Sequence, residues 1–238
     1  MNLLLINTPD AHPGDTLEIP ISRYPLRPDV WPPPVGRQLT IGIEDGLIGE
    51  AEVIDIDHQS IRITITALEQ PPPAASSITL LLALPRPKML RRIVRSCSEL
   101  GIKHLHLINS YRVEKSYWQS PLLAEQNLLD FCRAGLEQAC DTVLPQIRLW
   151  PRFKPFVEDH LPAITRDAQC IVAHPAATEP LKRGSPSGKQ VLAVGPEGGF
   201  SDYEIKALCA TGFLAQSMGA RILRVETAVP VLISRLDQ

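Results

Sequence analysis

The chain has 238 residues, 44% hydrophobic and 21% charged, so it can form one large globular domain or two smaller ones. No stretch approaches the roughly 20 apolar residues of a membrane span, and the apolar run at residues 3–6 lacks the basic flank of a signal peptide. The five cysteines form no CxxC pair and no close cluster with His104 and His106. We therefore expect no disulfide framework and no metal site, but buried, reduced thiols in a cytoplasmic protein.

The formal net charge of −2 hides an asymmetry along the chain. Residues 1–73 contain 4 Lys/Arg and 11 Asp/Glu, whereas residues 74–238 contain 20 and 15. Eight cations lie between Arg86 and Lys115, where the only acidic residues are Glu99 and Glu114. If the protein has a polyanionic partner, we expect the second region to contact it.

The first 73 residues predict a small β-rich domain. Residues 37–69 alternate apolar and polar side chains with period two around an Asp45-Gly46 turn, which is typical of the short strands of a small barrel or sheet. Three prolines at 71–73, followed by Ala and Ser, indicate a linker. We therefore place a domain boundary between residues 73 and 74.

The second region predicts strands that alternate with helices. A continuous apolar run at 78–84 is typical of a strand covered on both faces, and residues 88–100 form an amphipathic helix that Gly101 ends. Further strands are predicted at 104–108, 169–173, 190–194 and 213–216, and further helices from Ser120-Pro121 to about Ala139, from a capping box at Ser201 to Gly212, and from about Glu226. This alternation predicts a mostly parallel α/β sheet, in which ligands bind beyond the carboxyl ends of the strands.

A glycine-rich loop follows the strand at 190–194 in just that place, within the stretch VGPEGGFSDYEI. Its spacing fits neither GxGxxG nor GxxxxGK[ST], which argues against dinucleotide and P-loop phosphate sites. Glu197 would repel a pyrophosphate, and it is more compatible with a neutral or cationic ligand or with capping of nearby backbone amides. A tight turn whose glycines only relieve steric crowding is the alternative.

A second loop of this kind follows residues 213–216, in the stretch SMGARILRVETAVP. Arg221, Arg224, Glu226 and Thr227 lie close together at the start of the last helix. Glu226 or Thr227 can serve as a helix cap, and the arginines can simply be solvated. Two glycine-containing loops at strand ends of one sheet are nevertheless what a binding pocket formed by two loops requires.

These two stretches together resemble the paired C-terminal motifs of the SPOUT-class, RsmE-type methyltransferases. LALPRPKMLRRIVRSCSELGI resembles the basic helix of the same family, and the acidic first domain occupies the place of its PUA-like domain. The resemblance implies S-adenosylmethionine-dependent methylation of N3 of a uridine in small-subunit (16S) ribosomal RNA. It also implies a trefoil-knotted α/β domain over 74–238, an exception to unknotted topology, that acts as a homodimer.

Carried onto this sequence, the resemblance implies cofactor-binding and catalytic residues. The cofactor would bind to the His174-Pro175 loop and the two glycine-containing loops, through His174, Leu192, Gly195, Pro196, Glu197, Gly198, Gly199, Met218, Gly219, Ile222, Leu223, Arg224 and Thr227. Because the N3–H of uridine is a weak acid, an arginine near O2 or O4 would stabilise the anion that forms. Arg224 is our first choice for this role and Arg221 our second, and Glu226 is either a base or a residue that orients an arginine.

The basic helix would bind RNA phosphates through Arg86, Lys88, Arg91, Arg92 and Arg95. A solvated polar face of an amphipathic helix is the alternative. At the level of the whole protein, the alternatives are a knotted methyltransferase acting on another RNA nucleotide, a non-catalytic knotted RNA-binding protein, and a nucleotide-phosphate enzyme.

Overall fold

The computed structural model describes residues 2–23, 31–182 and 188–237, and the chain divides into two compact units. The first unit comprises residues up to Ala74 together with Arg133–Leu144. The second comprises Ala75–Cys132 and the residues from Pro145 onward. Within the described ranges, no helix combines the length and apolar character that crossing a bilayer requires.

The first unit is built on a five-stranded sheet, as the period-two pattern predicts. Its strands are β1 (Leu4–Ile6), β2 (Thr16–Pro20), β3 (Gln38–Ile43), β4 (Ile48–Ile56) and β5 (Ser60–Gln70), in the spatial order β1-β3-β4-β5-β2. A single turn of 3-10 helix, Ile21–Arg23, follows β2. In β5, Ile61, Ile63 and Ile65 are buried while Arg62 between them is exposed. One face of the strand therefore supplies the core of this unit.

The second unit contains a six-stranded sheet in which all neighbouring strands are parallel, which confirms the predicted α/β class. Its strands are β6 (Ile78–Ala83), β7 (His104–Ile108), β8 (Gln146–Trp150), β9 (Gln169–Ala173), β10 (Gln190–Val194) and β11 (Leu214–Gln216), in the order β11-β9-β10-β6-β7-β8. The central strands β6 and β10 are almost wholly buried, as continuous apolar runs predict. Strand β8 was missed because, at the sheet edge, it alternates polar residues with apolar ones and remains largely exposed.

The α-helices of the described residues are α1 (Pro87–Glu99), α2 (Glu125–Ala139), α3 (Phe153–Pro155), α4 (Leu161–Ile164), α5 (Asp202–Ala210) and α6 (Val225–Leu236). Short 3-10 helices lie at Lys115–Gln119 and Pro121–Leu123, and a π-helical turn lies at Phe156–His160. The helix expected from Ser120 begins only at Glu125, because the extended ψ of 139° at Ala124 interrupts it after the 3-10 turn that Pro121 opens.

Two helix boundaries have the capping residues that the sequence predicts. Gly101, with φ +74°, ends α1, and its N–H donates to the Ser98 carbonyl at 3.1 Å while the next N–H donates to the Cys97 carbonyl at 3.0 Å. This pair of bonds is the Schellman arrangement that a glycine with positive φ permits. At the start of α5, Ser201 and Glu204 form the predicted capping box.

The last part of α2 packs with the first unit, although the sequence places it in the second domain. Leu136 is fully buried and belongs to a cluster with Leu3 and Ile48. The Arg133 guanidinium donates to the Glu44 carboxylate at 2.6 and 3.2 Å. The first unit therefore combines two separate stretches of chain and does not end at a single boundary after residue 73.

The expectation of buried cysteines is only partly correct. Cys97, Cys132 and Cys170 are buried, and burial raises the pKa of the Cys97 and Cys170 thiols. Cys140 is half-buried and Cys209, on the outer face of α5, is exposed. All five are free thiols.

We expect Gly212→Ala to lower the free energy of unfolding by about 1 kcal/mol. Gly212 ends α5 with φ +97°, a conformation that strains a side chain, although a Cβ atom there would meet no other atom within 4 Å. The urea-induced unfolding transition measures the change. Gly212→Asn should cost less because asparagine tolerates positive φ, and equal stability of the alanine variant and the wild type would contradict this account.

Candidate functional site

Three loops that follow adjacent strands enclose a cavity of about 270 Å³ in the second unit. The loops begin at His174, Gly195 and Ser217, directly after β9, β10 and β11. Residues from the start of α6 complete the wall. Parallel strands bring their carboxyl ends to one edge, so three loops that are distant in sequence can meet there.

Most residues predicted for this site do line the cavity. They are His174, Gly195, Pro196, Glu197, Gly199, Met218, Gly219, Arg221, Ile222, Leu223 and Arg224. Sequence reasoning missed eight further wall residues, namely Ala173, Val194, Phe200, Gln216, Ser217, Val225, Ala228 and Leu232. Three of these eight, Val225, Ala228 and Leu232, have the i, i+3, i+7 spacing of one helix face, a signal that could have identified them.

Four of the described residues predicted for the site lie outside the cavity wall. Leu192 is fully buried in the middle of β10, where it packs in the core. The Gly198 carbonyl accepts a hydrogen bond from the Arg112 guanidinium. Glu226, half-buried, and Thr227, exposed, occupy the first turn of α6, where a carboxylate interacts favourably with the positive end of the helix dipole.

The glycine-rich loop is a tight turn that folds back against its own continuation. The Gly199 N–H donates to the Pro196 carbonyl at 2.7 Å, and Gly199 has φ +74°. A Cβ atom on Gly195 would lie 2.9 Å from the Phe200 nitrogen, closer than real Cβ atoms approach. Glycine at 195 is therefore required for packing of the loop, while glycine at 199 is favoured by the backbone conformation.

The third loop leaves much of its backbone free of regular structure. Residues 218–223 form neither helix nor strand, so their amides and carbonyls are not committed to a helix or sheet ladder, whereas the Arg224 carbonyl accepts the first hydrogen bonds of α6. Gly219, with φ +114°, donates its N–H to the Ser217 hydroxyl at 3.1 Å. Arg221 and Arg224 are exposed at the cavity, and Arg224 is the N-cap residue of α6. Neither Glu226 nor Thr227 caps that helix.

Glu197 connects this loop to the beginning of the basic helix α1. Its carboxylate accepts from the backbone N–H of Arg86 at 3.5 Å and lies 3.8 Å from the Arg86 guanidinium nitrogen. Arg86 is the N-cap residue of α1 and makes no side-chain cap bond of its own. Glu197 therefore supplies a carboxylate at the positive end of that helix, which matches the capping role considered from the sequence.

The five cations predicted on α1 are all exposed, but their surroundings differ. Arg95 donates to Glu99 at 2.9 Å, Arg86 faces Glu197, and the Arg91 guanidinium lies 5.9 Å from the centre of the Phe131 ring. Lys88 and Arg92 form no ion pair with any described residue. These two are the cations most available to an anionic partner.

Of the two histidines for which the sequence predicts no metal site, His104 is exposed and His106 lies in the core. The Trp150 indole N–H donates to Nδ1 of His106 at 3.0 Å, and the ring packs beside Trp150 and Phe156. Burial, with smaller effects of Arg148 and His104, lowers the pKa of His106 to about 4. Throughout the described ranges, no three His, Cys, Asp or Glu side chains are grouped as a metal site requires.

Comparison with known proteins identifies the family to which this chain belongs. A family model described as "RNA methyltransferase domain" matches residues 72–237. The ribosomal RNA small subunit methyltransferase E of Treponema pallidum is 31% identical over 196 residues, which are 81% of this chain and 74% of that protein. The enzyme of the same name from Synechocystis is 30% identical over 197 residues, covering 81% of this chain and 63% of that protein.

Solved structures resemble the chain over almost its whole length. The ribosomal RNA small subunit methyltransferase E from Neisseria gonorrhoeae, bound to S-adenosyl methionine, superposes with a TM-score of 0.78 at 19% identity, covering 98% of this chain and 95% of that one. A protein from Legionella pneumophila, in complex with the bound cofactor SAM, gives the same TM-score and coverage at 23% identity. At these identities the structures confirm the fold. The family model spans well over half of the chain, and together with the relative from Treponema pallidum it confirms the resemblance seen in the sequence. The chain belongs to the RNA methyltransferase domain family, among relatives named ribosomal RNA small subunit methyltransferase E.

Proposed function

We propose that this protein transfers a methyl group from S-adenosylmethionine to N3 of a uridine in small-subunit (16S) ribosomal RNA. The observation that carries the proposal is the cavity formed by the loops after β9, β10 and β11 in a chain of this family. The names of the relatives support a substrate in the small ribosomal subunit, and the two similar structures that hold S-adenosylmethionine support the methyl donor.

The residues of the cavity fit this donor. Val194, Phe200, Met218, Ile222 and Leu223 give it apolar walls suited to an adenine ring. The irregular backbone of residues 218–223 offers donors and acceptors to the edge of that ring, and Gly195 lets its own loop fold back tightly against Phe200. When bound, S-adenosylmethionine supplies an electrophilic methyl group on a cationic sulfonium. Glu197 carries a charge compatible with that cation.

Arg224 is the residue we assign to stabilising the uridine during transfer. Methylation of N3 removes the imide proton, so negative charge develops on the ring and is shared with O2 and O4. A guanidinium exposed at the cavity can face that charge and stabilise it electrostatically. Arg221, also exposed on the wall, is the second candidate for this role.

Glu226 is not placed to take the proton of N3. It is half-buried in the first turn of α6, two residues after Arg224 and outside the cavity wall. The proton of N3 would then leave to water, while the protein holds the two substrates together, an effect that itself provides much of the acceleration. Because N3 lies on the Watson–Crick edge, the target uridine has to be unpaired or flipped out.

The proposal extends to the architecture that the family implies. We infer that the segments around the cavity form a trefoil knot, that the knotted domain acts as a homodimer, and that the first unit is a PUA-like RNA-binding domain. Similarity over 98% of the chain to methyltransferases of this type supports the knot and the PUA-like domain. The exposed cations of α1, with Lys88 and Arg92 foremost, would bind RNA phosphates.

Transfer of a labelled methyl group to small ribosomal subunits, followed by nucleoside analysis, tests the function. We expect N3-methyluridine from the wild type, and Arg224→Ala should lower the rate by about 100-fold or more, as loss of a preorganised charge does. Arg235→Ala, an exposed arginine at the other end of α6, is the matched control and should stay active. A different methylated nucleoside would refute the assigned target, and an active Arg224→Ala would remove this residue from the mechanism.

Gly195→Ala should weaken binding of S-adenosylmethionine by about tenfold or more, because overpacking a close backbone contact costs about 1–3 kcal/mol. Titration calorimetry of the protein with the cofactor measures this. Gly198→Ala is the control in the same loop, since a Cβ there would meet only the flexible Arg112 side chain at 3.0 Å. Similar affinities for the two variants would show that the turn does not form a wall of the cofactor site.

Lys88→Ala and Arg92→Ala should each weaken RNA binding and reduce the slope of log affinity against log salt by roughly 1. Filter binding of small-subunit ribosomal RNA at several salt concentrations gives both quantities. Arg95→Ala should have a smaller effect because Glu99 already pairs with this arginine at 2.9 Å. If all three variants keep the wild-type slope, α1 is a solvated helix face and not an RNA-binding surface.

A further inference from the structure

A second cavity, of about 520 Å³, opens in the same unit at the carboxyl ends of the other strands of the parallel sheet. The loop after β7 contributes Asn109, Ser110 and Tyr111, and the turn after β8 contributes Phe153 and Lys154. The third side is the start of α5, with Ser201, Tyr203 and Glu204. This cavity shares no wall residue with the cofactor cavity.

The two cavities nevertheless lie next to each other along one strand-like stretch of backbone. Phe200 lines the first cavity and Ser201, the following residue, lines the second. Ser201 is extended, with φ −74° and ψ 162°, and consecutive Cα atoms are about 3.8 Å apart. The walls of the two cavities are therefore continuous along the chain from Phe200 to Ser201.

The wall of the second cavity is held rigid by the buried carboxylate of Glu204. This side chain accepts hydrogen bonds from the Ser201 N–H at 2.8 Å, the Ser201 hydroxyl at 2.9 Å, the Ser110 hydroxyl at 3.2 Å and the Tyr111 N–H at 2.7 Å. Arg112, the next residue of the β7 loop, donates to the Gly198 carbonyl. The capping box of α5 thus also fixes the loop that presents Tyr111, so its position is set before any ligand binds.

Aromatic side chains are concentrated around this cavity and are unusually exposed. The chain has only 5 Phe, 3 Trp and 4 Tyr, and three of these rings, Tyr111, Phe153 and Tyr203, line the one cavity. Tyr111 is 85% exposed and Tyr203 60%, whereas Phe153 is half-buried. Single exposed apolar residues need no explanation, but three rings from distant parts of the sequence around one opening form a candidate stacking surface.

The charges at the opening favour a polyanion that carries flat apolar groups. Lys154, on the wall, is exposed, as are Arg112 and Arg152, which are next in sequence to Tyr111 and Phe153. Of these, Lys154 has an acidic partner, Glu158 at 3.7 Å, in an exposed pair that contributes little. Glu204 is enclosed by four donors, and Asp202, exposed on α5, is the acidic residue next to Tyr203. Aromatic rings can stack on a nucleobase, and cations beside them can pair with the phosphates on either side of that base.

We propose that Tyr111, Phe153 and Tyr203 form a stacking site for a nucleobase of the RNA substrate, next to the nucleotide that is methylated. The inference rests on the proposed function and assigns to this edge of the sheet a role in holding the RNA strand. Arg112 and Lys154 contact the adjoining phosphates. Base stacking tolerates sequence differences, so this site contributes affinity and strand position, while the cofactor cavity determines which atom reacts.

Alanine substitution of Tyr111 and of Tyr203 tests the stacking site. Each should weaken binding of a short single-stranded uridine-rich RNA by roughly 5- to 150-fold, the range for loss of one stacked base. Tyr111→Phe should bind RNA as the wild type does, because the ring and not the hydroxyl makes the contact. Leu214→Ala, which removes an apolar side chain that is 58% exposed on β11, is the matched control and should leave RNA binding unchanged.

Two further measurements separate this proposal from the proposed function. Calorimetry with S-adenosylmethionine should give wild-type affinity for both alanine variants, and the same RNA with 5-iodouridine should crosslink under light to Tyr111 or Tyr203. A wild type that transfers no methyl group to ribosomal subunits refutes the proposed function. A methylating wild type whose Tyr111→Ala variant keeps full RNA affinity refutes the stacking site. A shift in sedimentation with unchanged RNA affinity would also overturn it, since the surface would then join two copies of the chain.

Discussion

Parallel pairing of all six strands in the second unit brings every strand end of the same polarity to one edge of the sheet. The registers run without a break from β9 through β10 and β6 to β7 and β8, so the loops after these strands start close together. Both cavities depend on this arrangement. Such sheets are also buried on both faces, which explains why β6 and β10 consist of almost nothing but apolar residues.

Glu204 adds a second level of order at this edge. A buried carboxylate without hydrogen bonds would be costly, and four donors from the β7 loop and from Ser201 satisfy it. The same carboxylate therefore caps a helix, anchors the β7 loop and lies in the wall of the second cavity. Rigidity at this point has a functional value, because a methyl transfer requires that cofactor and nucleotide be held in a fixed relation.

Sequence patterns correctly predicted those elements whose position depends on a short stretch of neighbouring residues. Continuous apolar runs predicted β6 and β10, Gly101 and Gly212 predicted helix ends, and Ser201 predicted a capping box. Strand β8 was missed because an edge strand has no obligatory apolar run. A helix start was predicted at Pro121, but α2 begins four residues later, at Glu125, because the extended backbone of Ala124 separates it from the 3-10 turn at Pro121.

The site was predictable to the extent that its residues lie in contiguous loops. Glycines and arginines at strand ends predicted two walls of the first cavity and the family resemblance added the loop at His174, whereas Gln216 and Phe200 reach the cavity only through the geometry of the fold. Leu192 was assigned to the wall as an apolar residue for the adenine slot that the resemblance implies, but it is fully buried in the core of the sheet. The second cavity was not predictable, since Tyr111, Phe153 and Tyr203 come from three elements with no shared motif.

The contact between Glu197 and Arg86 carries a consequence for how this family diverges. Because the Glu197 carboxylate lies 3.8 Å from the Arg86 guanidinium nitrogen, a cation at position 86 favours an acidic residue at position 197. The two positions should therefore change together among related proteins, an acidic residue at one accompanying a cation at the other. Gly195 has no such partner to follow, since its constraint is a backbone atom of Phe200 that every sequence possesses, and it should stay glycine throughout.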